Sequence, residues 1–310
     1  MNRYFRELSV AAALALLLIA LAIFAPNFFE PQPLLSRLAE QAPTLVVAIG
    51  MALVILARQI DISAGSQFGI CAVLGGVLAA SAHLSFVIVA PLLIVAGGLM
   101  GAVNGALVAW LRLPSIVVTL ATMVTWAEAL RLWQQGRFIN LPAGVQWFGL
   151  GQSAGQAALL ALALALLAFA AWATKNLGAA RYVYAVGSEA EAARLAGINP
   201  EKTTFGVFVL LGALVGLAAA MNLMRSPQVD PKSGGGLELR VIAAAVVGGV
   251  SISGGRGNLW GVFAGLLLLA TINPALTYLH VEAYWERAIQ GAVILLAVVA
   301  DGLRSRRAKR

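Results

Sequence analysis

The sequence predicts an all-α, polytopic integral membrane protein of about ten transmembrane helices, and three observations predict it. Hydrophobic residues fill 61% of the 310 positions and charged residues 11%, with a mean hydropathy of +0.89, a balance foreign to globular domains. Apolar runs such as Ala157–Ala173 approach the roughly 20 residues that carry a helix across about 30 Å of hydrocarbon. None of them alternates with period two, which excludes a transmembrane barrel. The whole chain, 1–310, reads as one membrane domain with a single long charged loop at about 174–204.

Hydropathy places the spans near 8–25, 43–57, 63–81, 85–111, 115–132, 157–173, 204–224, 240–252, 257–278 and 284–301. The first follows Arg3 and Arg6, is longer than the apolar core of a secretory signal, and leads into PNFFEPQP with no small-x-small cleavage site; it is read as a retained helix. Cys71 in the third span is the only cysteine, which rules out a disulfide framework or thiolate metal site and leaves a packing role. Glycines cluster as Gly97-Gly98, Gly101 and Gly105 in the fourth span, and as Gly248-Gly249 and Gly254-Gly255 around the eighth. Small residues let helices approach closely and slide. Trp133 and Trp147 flank the connection before the sixth span, where aromatic residues mark the headgroup level. In the long loop, Glu189, Glu191 and Arg194 lie on a short helix expected to begin after a Gly187-Ser188 turn. Ser188 is its expected N-cap, Glu191 completes a capping box, and Gly197 ends it.

Orientation follows from counting Lys and Arg in alternate connections. With the amino terminus in the cytoplasm, the inner set holds fourteen of the 21 and the outer set seven, so both termini are expected inside. The net charge of +8 then reads as topology and attraction to anionic lipid headgroups. Its dispersal along loops argues against nucleic acid as a partner.

Four segments carry a resemblance: VAIGMALVILARQIDISAGS (Val47–Ser66), RLPSIVVTLATM (Arg112–Met123), AARYVYAVGSEAEAARLAGI (Ala179–Ile198) and GGGLELRVIAAAVVGGVSISGGRGNLWG (Gly234–Gly261). In this order the chain resembles, over nearly its whole length, the permease subunits of ABC importers for ribose, xylose, rhamnose and autoinducers. The resemblance implies a bacterial inner-membrane permease that works as a dimer with a second permease subunit. It also implies a separate ABC ATPase subunit and an extracytoplasmic sugar-binding protein. The EAARLAGI segment is similar to that family's coupling helix, which carries ATPase contact onto Glu189, Glu191, Ala193, Arg194, Leu195 and Gly197. No G-x-x-x-x-G-K-[ST] phosphate loop is present; the chain is expected to be no enzyme, with ATP and magnesium bound by the partner and no cofactor of its own. Where the family usually has paired glycines before the IDLS-like motif, this chain has Arg58 and Gln59, a replacement that points toward the rhamnose and autoinducer branches. Asn273-Pro274 stands where the family tends to a paired Asn followed by Gly.

A neutral sugar needs donors and acceptors along its path, which makes the intramembrane polar residues candidates: Asp61, Ser63, Ser66, Asn104, Thr119, Thr122, Thr125, Asn222 and Asn273. Interhelical hydrogen bonds, or back-bonding to their own helix, are the competing reading for the Asn and Thr residues. Asp61 is costly unless paired, with Arg58 one turn away, and its expected role is structural, at a helix break that Ser63 and Gly65 allow. Ile60–Gly65 (IDISAG) and Val250–Gly255 (VSISGG) suggest an internal repeat whose hairpins fall on one side. On the outer side, Arg137, Arg225 and Lys232 are candidates to receive the binding protein, setting orientation and on-rate more than affinity.

Three other classes fit less well. An ion-coupled secondary transporter needs membrane-embedded carboxylates, and away from the predicted span ends this chain is expected to offer none, Glu128 lying near Arg131 as its partner. A membrane enzyme finds no ligand cluster in His83 and His280. A permease for branched-chain amino acids or nucleosides shares the helical layout, but the polar inventory is mostly hydroxyl and amide, which favours a sugar.

Overall fold

A computed structural model describes residues 5–142, 144–278 and 291–292; the expected span 284–301 and His280 fall outside them. The described chain is helical: α1 (Phe5–Phe24), α2 (Pro31–Leu56), α3 (Ala64–Ala80), α4 (Phe86–Ala109), α5 (Ser115–Gln134), α6 (Gln152–Asn176), α7 (Gly178–Ser188), α8 (Ala190–Leu195), α9 (Pro200–Arg225), α10 (Leu237–Val247) and α11 (Leu259–Tyr278). Six of these, α2, α4, α5, α6, α9 and α11, are long and apolar enough to cross a membrane; α3 and the apolar part of α1 are shorter. The architecture is that of an all-α, multi-pass membrane protein. Helix α2 starts twelve residues before the expected second span because Pro31 occupies its first turn, where a missing N–H costs nothing.

Helices α2 and α9 form the centre, apolar on all sides and buried along most of their length. Helix α4 lies along α9 through its glycines. A β-carbon at Gly97 would collide with the Gly212 carbonyl, and one at Gly101 with that of Phe208. Gly98, one position round the helix, has only ordinary contact distances of 3.8 and 3.9 Å. The spacing Gly97, Gly101, Gly105 thus makes a flat stripe that lets two backbones touch.

Connections gather at two ends, as alternation along the chain requires. At one end Ile139–Asn140 (β1) pairs antiparallel with Gln228–Val229 (β2), Ile139 opposite Val229, joining the two long loops. At the other end the Gly255 amide donates to the Leu56 carbonyl at 2.9 Å, and Tyr184 of α7 donates to the Gly257 carbonyl at 3.2 Å. The end of α2 that leads into IDISAG therefore lies against VSISGG, Gly254 meeting Arg58.

The expected span 240–252 takes a different form. From β2 the chain turns back into the bundle alongside α3: Gly76 faces Val229, Gly69 faces Pro231, and Gly65 packs on the Gly234 carbonyl. Eleven residues of α3 separate Gly76 from Gly65, about 16 Å at 1.5 Å per residue. Helix α10 begins there and its 11 residues complete the crossing, another 16 Å or so, with Gly248 and Ala244 against Gly261 and Gly265 of α11. One traverse is thus half irregular chain and half helix.

Candidate functional site

The chain between α2 and α3 is unwound, and its backbone groups find partners on α5. The Ile60 amide donates to Ser115 Oγ at 3.2 Å and the Ile62 amide to Thr119 Oγ1 at 3.1 Å. Ser66 Oγ donates to the Met123 carbonyl at 2.9 Å. Polar residues at one-turn spacing on α5 thus replace the hydrogen bonds that the broken helix gives up.

Asp61 sits at the centre of this break, fully buried. Its Oδ1 accepts from the Ser63 amide at 2.8 Å and from Ser63 Oγ at 2.6 Å; its Oδ2 accepts from Gln67 Nε2 at 3.2 Å and Asn104 Nδ2 at 3.3 Å. Both amides also reach Ser63 Oγ, at 2.9 and 2.8 Å. Four donors converge on one carboxylate, the arrangement that makes a buried acid tolerable without a counter-ion. The pairing with Arg58 expected from sequence is absent: Arg58 takes a left-handed φ of +64° and is exposed, turning its side chain away from the break.

Of the pathway candidates, the structure brings Asp61, Ser63, Asn104 and Thr119 together and buries them completely, so no solute reaches their side chains in this conformation. Gln67, one turn into α3 from Ser63, belongs to the same cluster; it was legible as an amide in an apolar span. Thr122 and Thr125 donate back to Thr119 and Ala121 of their own helix. Asn222 lies elsewhere, near Arg225 at 3.5 Å, and half-buried Asn273 is on α11. Among the described residues two carboxylates lie within the bundle, Asp61 and half-buried Glu238, where the sequence predicts none away from span ends. Placing the eighth span at 240 left Glu238 in a loop.

Residues 174–204 hold two helices where one was expected. Val183, Val186 and Gly187 form a buried face, so α7 runs on through the expected Gly187-Ser188 turn, and Ser188 packs against Gly255. The N-cap position of α8 belongs to Glu189, with no side-chain cap bond, so the capping box expected of Ser188 and Glu191 does not form. Gly197 closes α8 with a left-handed φ of +82°, as expected. Within α8, Ala193 is buried, Leu195 is 84% exposed, and Glu189, Glu191 and Gly197 are exposed. Arg194 is bound within the chain, to Glu191 at 3.0 Å and Glu201 at 2.6 Å, and Glu201 also meets Arg112 at 3.5 Å. An unforeseen cap, Asn199 accepting from the Lys202 amide at 2.8 Å, starts α9; the signal was Asn199-Pro200.

At the strand end, Arg137 is exposed beside β1, while half-buried Arg225 meets Glu40 at 3.9 Å. Lys232 lies in the descending segment, between the levels of Gly69 and Gly65, away from the rim that holds Arg137.

Comparison with known proteins places this geometry. The family model described as the branched-chain amino acid transport system permease component matches residues 34–298. The autoinducer 2 import system permease protein LsrC of Escherichia coli (strain K12 / DH10B) is 36% identical over 295 residues, covering 93% of this chain and 86% of the relative. Its counterpart in Enterobacter sp. (strain 638) is 35% identical over 298 residues, 96% and 87% of the two chains, and that in Salmonella typhi is 33% identical over 298 residues, 96% and 86%. No solved structure gives a significant match. With the break, the short exposed helix and the family match lying in one continuous stretch, the chain belongs to the branched-chain amino acid transport system permease component family and is a permease subunit of the ABC importer class.

Proposed function

We propose that this chain is the transmembrane permease of an ATP-driven importer that takes a monosaccharide or related small polyol, in the class of autoinducer 2, from a binding protein and releases it into the cytoplasm. The observation that carries the proposal is α8: a short helix at one end of the bundle, clamped by Ala193 and Arg194 and presenting Leu195 almost fully to solvent. A projecting apolar side chain on a rigid base has the form of a knob for a partner's groove. In this reading the groove is on the ATPase, which binds ATP and magnesium, and Leu195, Glu189, Glu191 and Gly197 make the contact while Ala193 and Arg194 hold the helix to the bundle. The α8 end is cytoplasmic, the chain crosses a bacterial inner membrane about ten times with both termini inside, and a second permease subunit completes the assembly.

The solute class rests on the autoinducer 2 that the relatives import together with a polar inventory of hydroxyl, amide and few charges. The binding protein docks at the strand end, where Arg137 is exposed. Leu195→Asp tests the knob. The full complex with this substitution is expected to insert and to lose uptake at least about tenfold, the effect of one buried interface anchor. Uptake at the parent rate would remove α8 from the ATPase contact.

A further inference from the structure

The descending segment from Asp230 reaches the middle of the crossing at Gly234–Gly236 and the first turns of α10, about 16 Å from β2 along α3 and as far again from the α8 end. Irregular backbone at such depth is stable only where protein buries it or water reaches it. Here Lys232, Gly235, Leu239 and Arg240 are exposed and Glu238 is half-buried, whereas Ala243–Val247 are buried among α2 and α11. The exposure is therefore confined to the mid-depth part of α10. Charged side chains in this position cannot face lipid tails without a large cost. Beside them the Ser233 hydroxyl is buried with no hydrogen-bond partner, and Gly65 and Gly234 pack backbone to backbone, so a β-carbon at Gly65 would collide with the Glu238 carboxylate. The carboxylate is held against the start of α3 and cannot retreat into the bundle.

We propose that Glu238, with Arg240 beside it, lines the aqueous path of this permease and is a contact point for the passing solute, its carboxylate accepting hydrogen bonds from hydroxyl groups. Glu238 and Arg240, like Asp230 and Lys232 before them, bring one charge of each sign, so the wall carries no fixed net charge to trap a neutral polyol, and Gly235-Gly236 leave it room. The proposal rests on the importer reading and moves the contact from the sealed Asp61 cluster to the face of α10. A wall of the second permease copy, or lipid, are the competing occupants.

Substituted cysteines in the complete importer, reconstituted with its ATPase and binding protein, decide between them, because this chain's own Cys71 is buried and the unsubstituted importer supplies the blank. Leu239→Cys and Glu238→Cys are expected to react with a charged, membrane-impermeant methanethiosulfonate reagent, and Ala245→Cys is not. Modification of Leu239→Cys should block uptake and a thiol reductant should restore it. Glu238→Gln should lower uptake of the hydroxylated solute by about tenfold or more, the scale of one charge-assisted hydrogen bond. Reaction only with a lipid-soluble maleimide would place this face in lipid; a disulfide between two copies with no reaction would place it in the permease interface. Either result overturns the proposal. The importer reading is judged separately, by whether the parent complex hydrolyses ATP faster with loaded binding protein; transport of leucine in place of a sugar would overturn the solute class alone.

Discussion

Asp61 shows how one residue can look like a transport site and act as a structural pin. Its four donors come from Ser63, Gln67 and Asn104, and Asn104 belongs to α4, so the carboxylate ties the unwound segment to a neighbouring helix. Asp61→Ala would leave the Ser63 amide and hydroxyl buried without their acceptor, and the Gln67 and Asn104 amides with Ser63 Oγ alone, at roughly 1–3 kcal/mol for each unsatisfied group. The variant is expected to lose folded protein in detergent, read as a fall in the apparent melting temperature, and Asn104→Leu to fall less because it removes one donor only. Equal melting temperatures for Asp61→Ala and the parent would contradict the pinning role. The break itself was legible from Asp61, Ser63 and Gly65, since an acid followed by small polar residues in an apolar run suits no regular helix. Its partners were not. Burial and four-fold donation replace the salt bridge with Arg58 that spacing alone suggested, and spacing cannot report the left-handed turn that takes Arg58 outward. Arg194 is a similar case: sequence placed it on the contact helix, but only the fold shows that Glu191 and Glu201 already hold its guanidinium.

Among the elements, α4 and α9 offer the sharpest contrast, since Gly97 and Gly98 are neighbours in sequence and differ in what they touch. Gly97→Ala would drive a methyl group into the Gly212 carbonyl, whereas Gly98→Ala meets open contact distances. The first is expected to reduce folded yield and thermal stability strongly, by overpacking of about 1–3 kcal/mol or more; the second is expected to be neutral or slightly stabilising through helix propensity. A size-exclusion thermal assay on both variants checks the difference, and the reverse order would contradict the packing. The glycine clusters were visible in sequence, but which member faces a neighbour depends on helix phase. Helix α10 was missed in part for another reason: hydropathy windows look for continuous apolar runs, and a traverse made of Asp230–Gly236 plus an 11-residue helix offers none. Likewise α7 was read as loop because its apolar face is spread over Val183, Val186 and Gly187 between polar residues.

For the molecule as a whole, the proposed function gives the two ends separate tasks. At the α8 end, Leu56, Arg58, Gly187, Ser188, Gly254 and Gly255 interlock, so any push on α8 is delivered through α7 to the ends of α2 and the α10–α11 connection. Gly187→Ala would force a methyl group onto the Leu56 carbonyl and should disengage α8; the expected outcome is uptake reduced at least about tenfold, measured alongside copurification of the ATPase. At the strand end, Arg137→Glu is the cleaner test of docking than Arg225→Glu, because Arg225 is engaged with Glu40. It should slow binding-protein association most at low salt, as a steering charge does. Membrane class and the α8 segment were legible from composition and four motifs, because these depend on local chemistry. The half-traverse of α10 depends on tertiary support and was not. The measurement that bears most directly on the account is ATP hydrolysis in proteoliposomes that hold this permease and its ATPase, with binding protein added empty or loaded with autoinducer 2, ribose, rhamnose or xylose. Stimulation by one sugar-loaded form over the empty form is the predicted result; no stimulation by any of them, or failure of permease and ATPase to copurify, would contradict it.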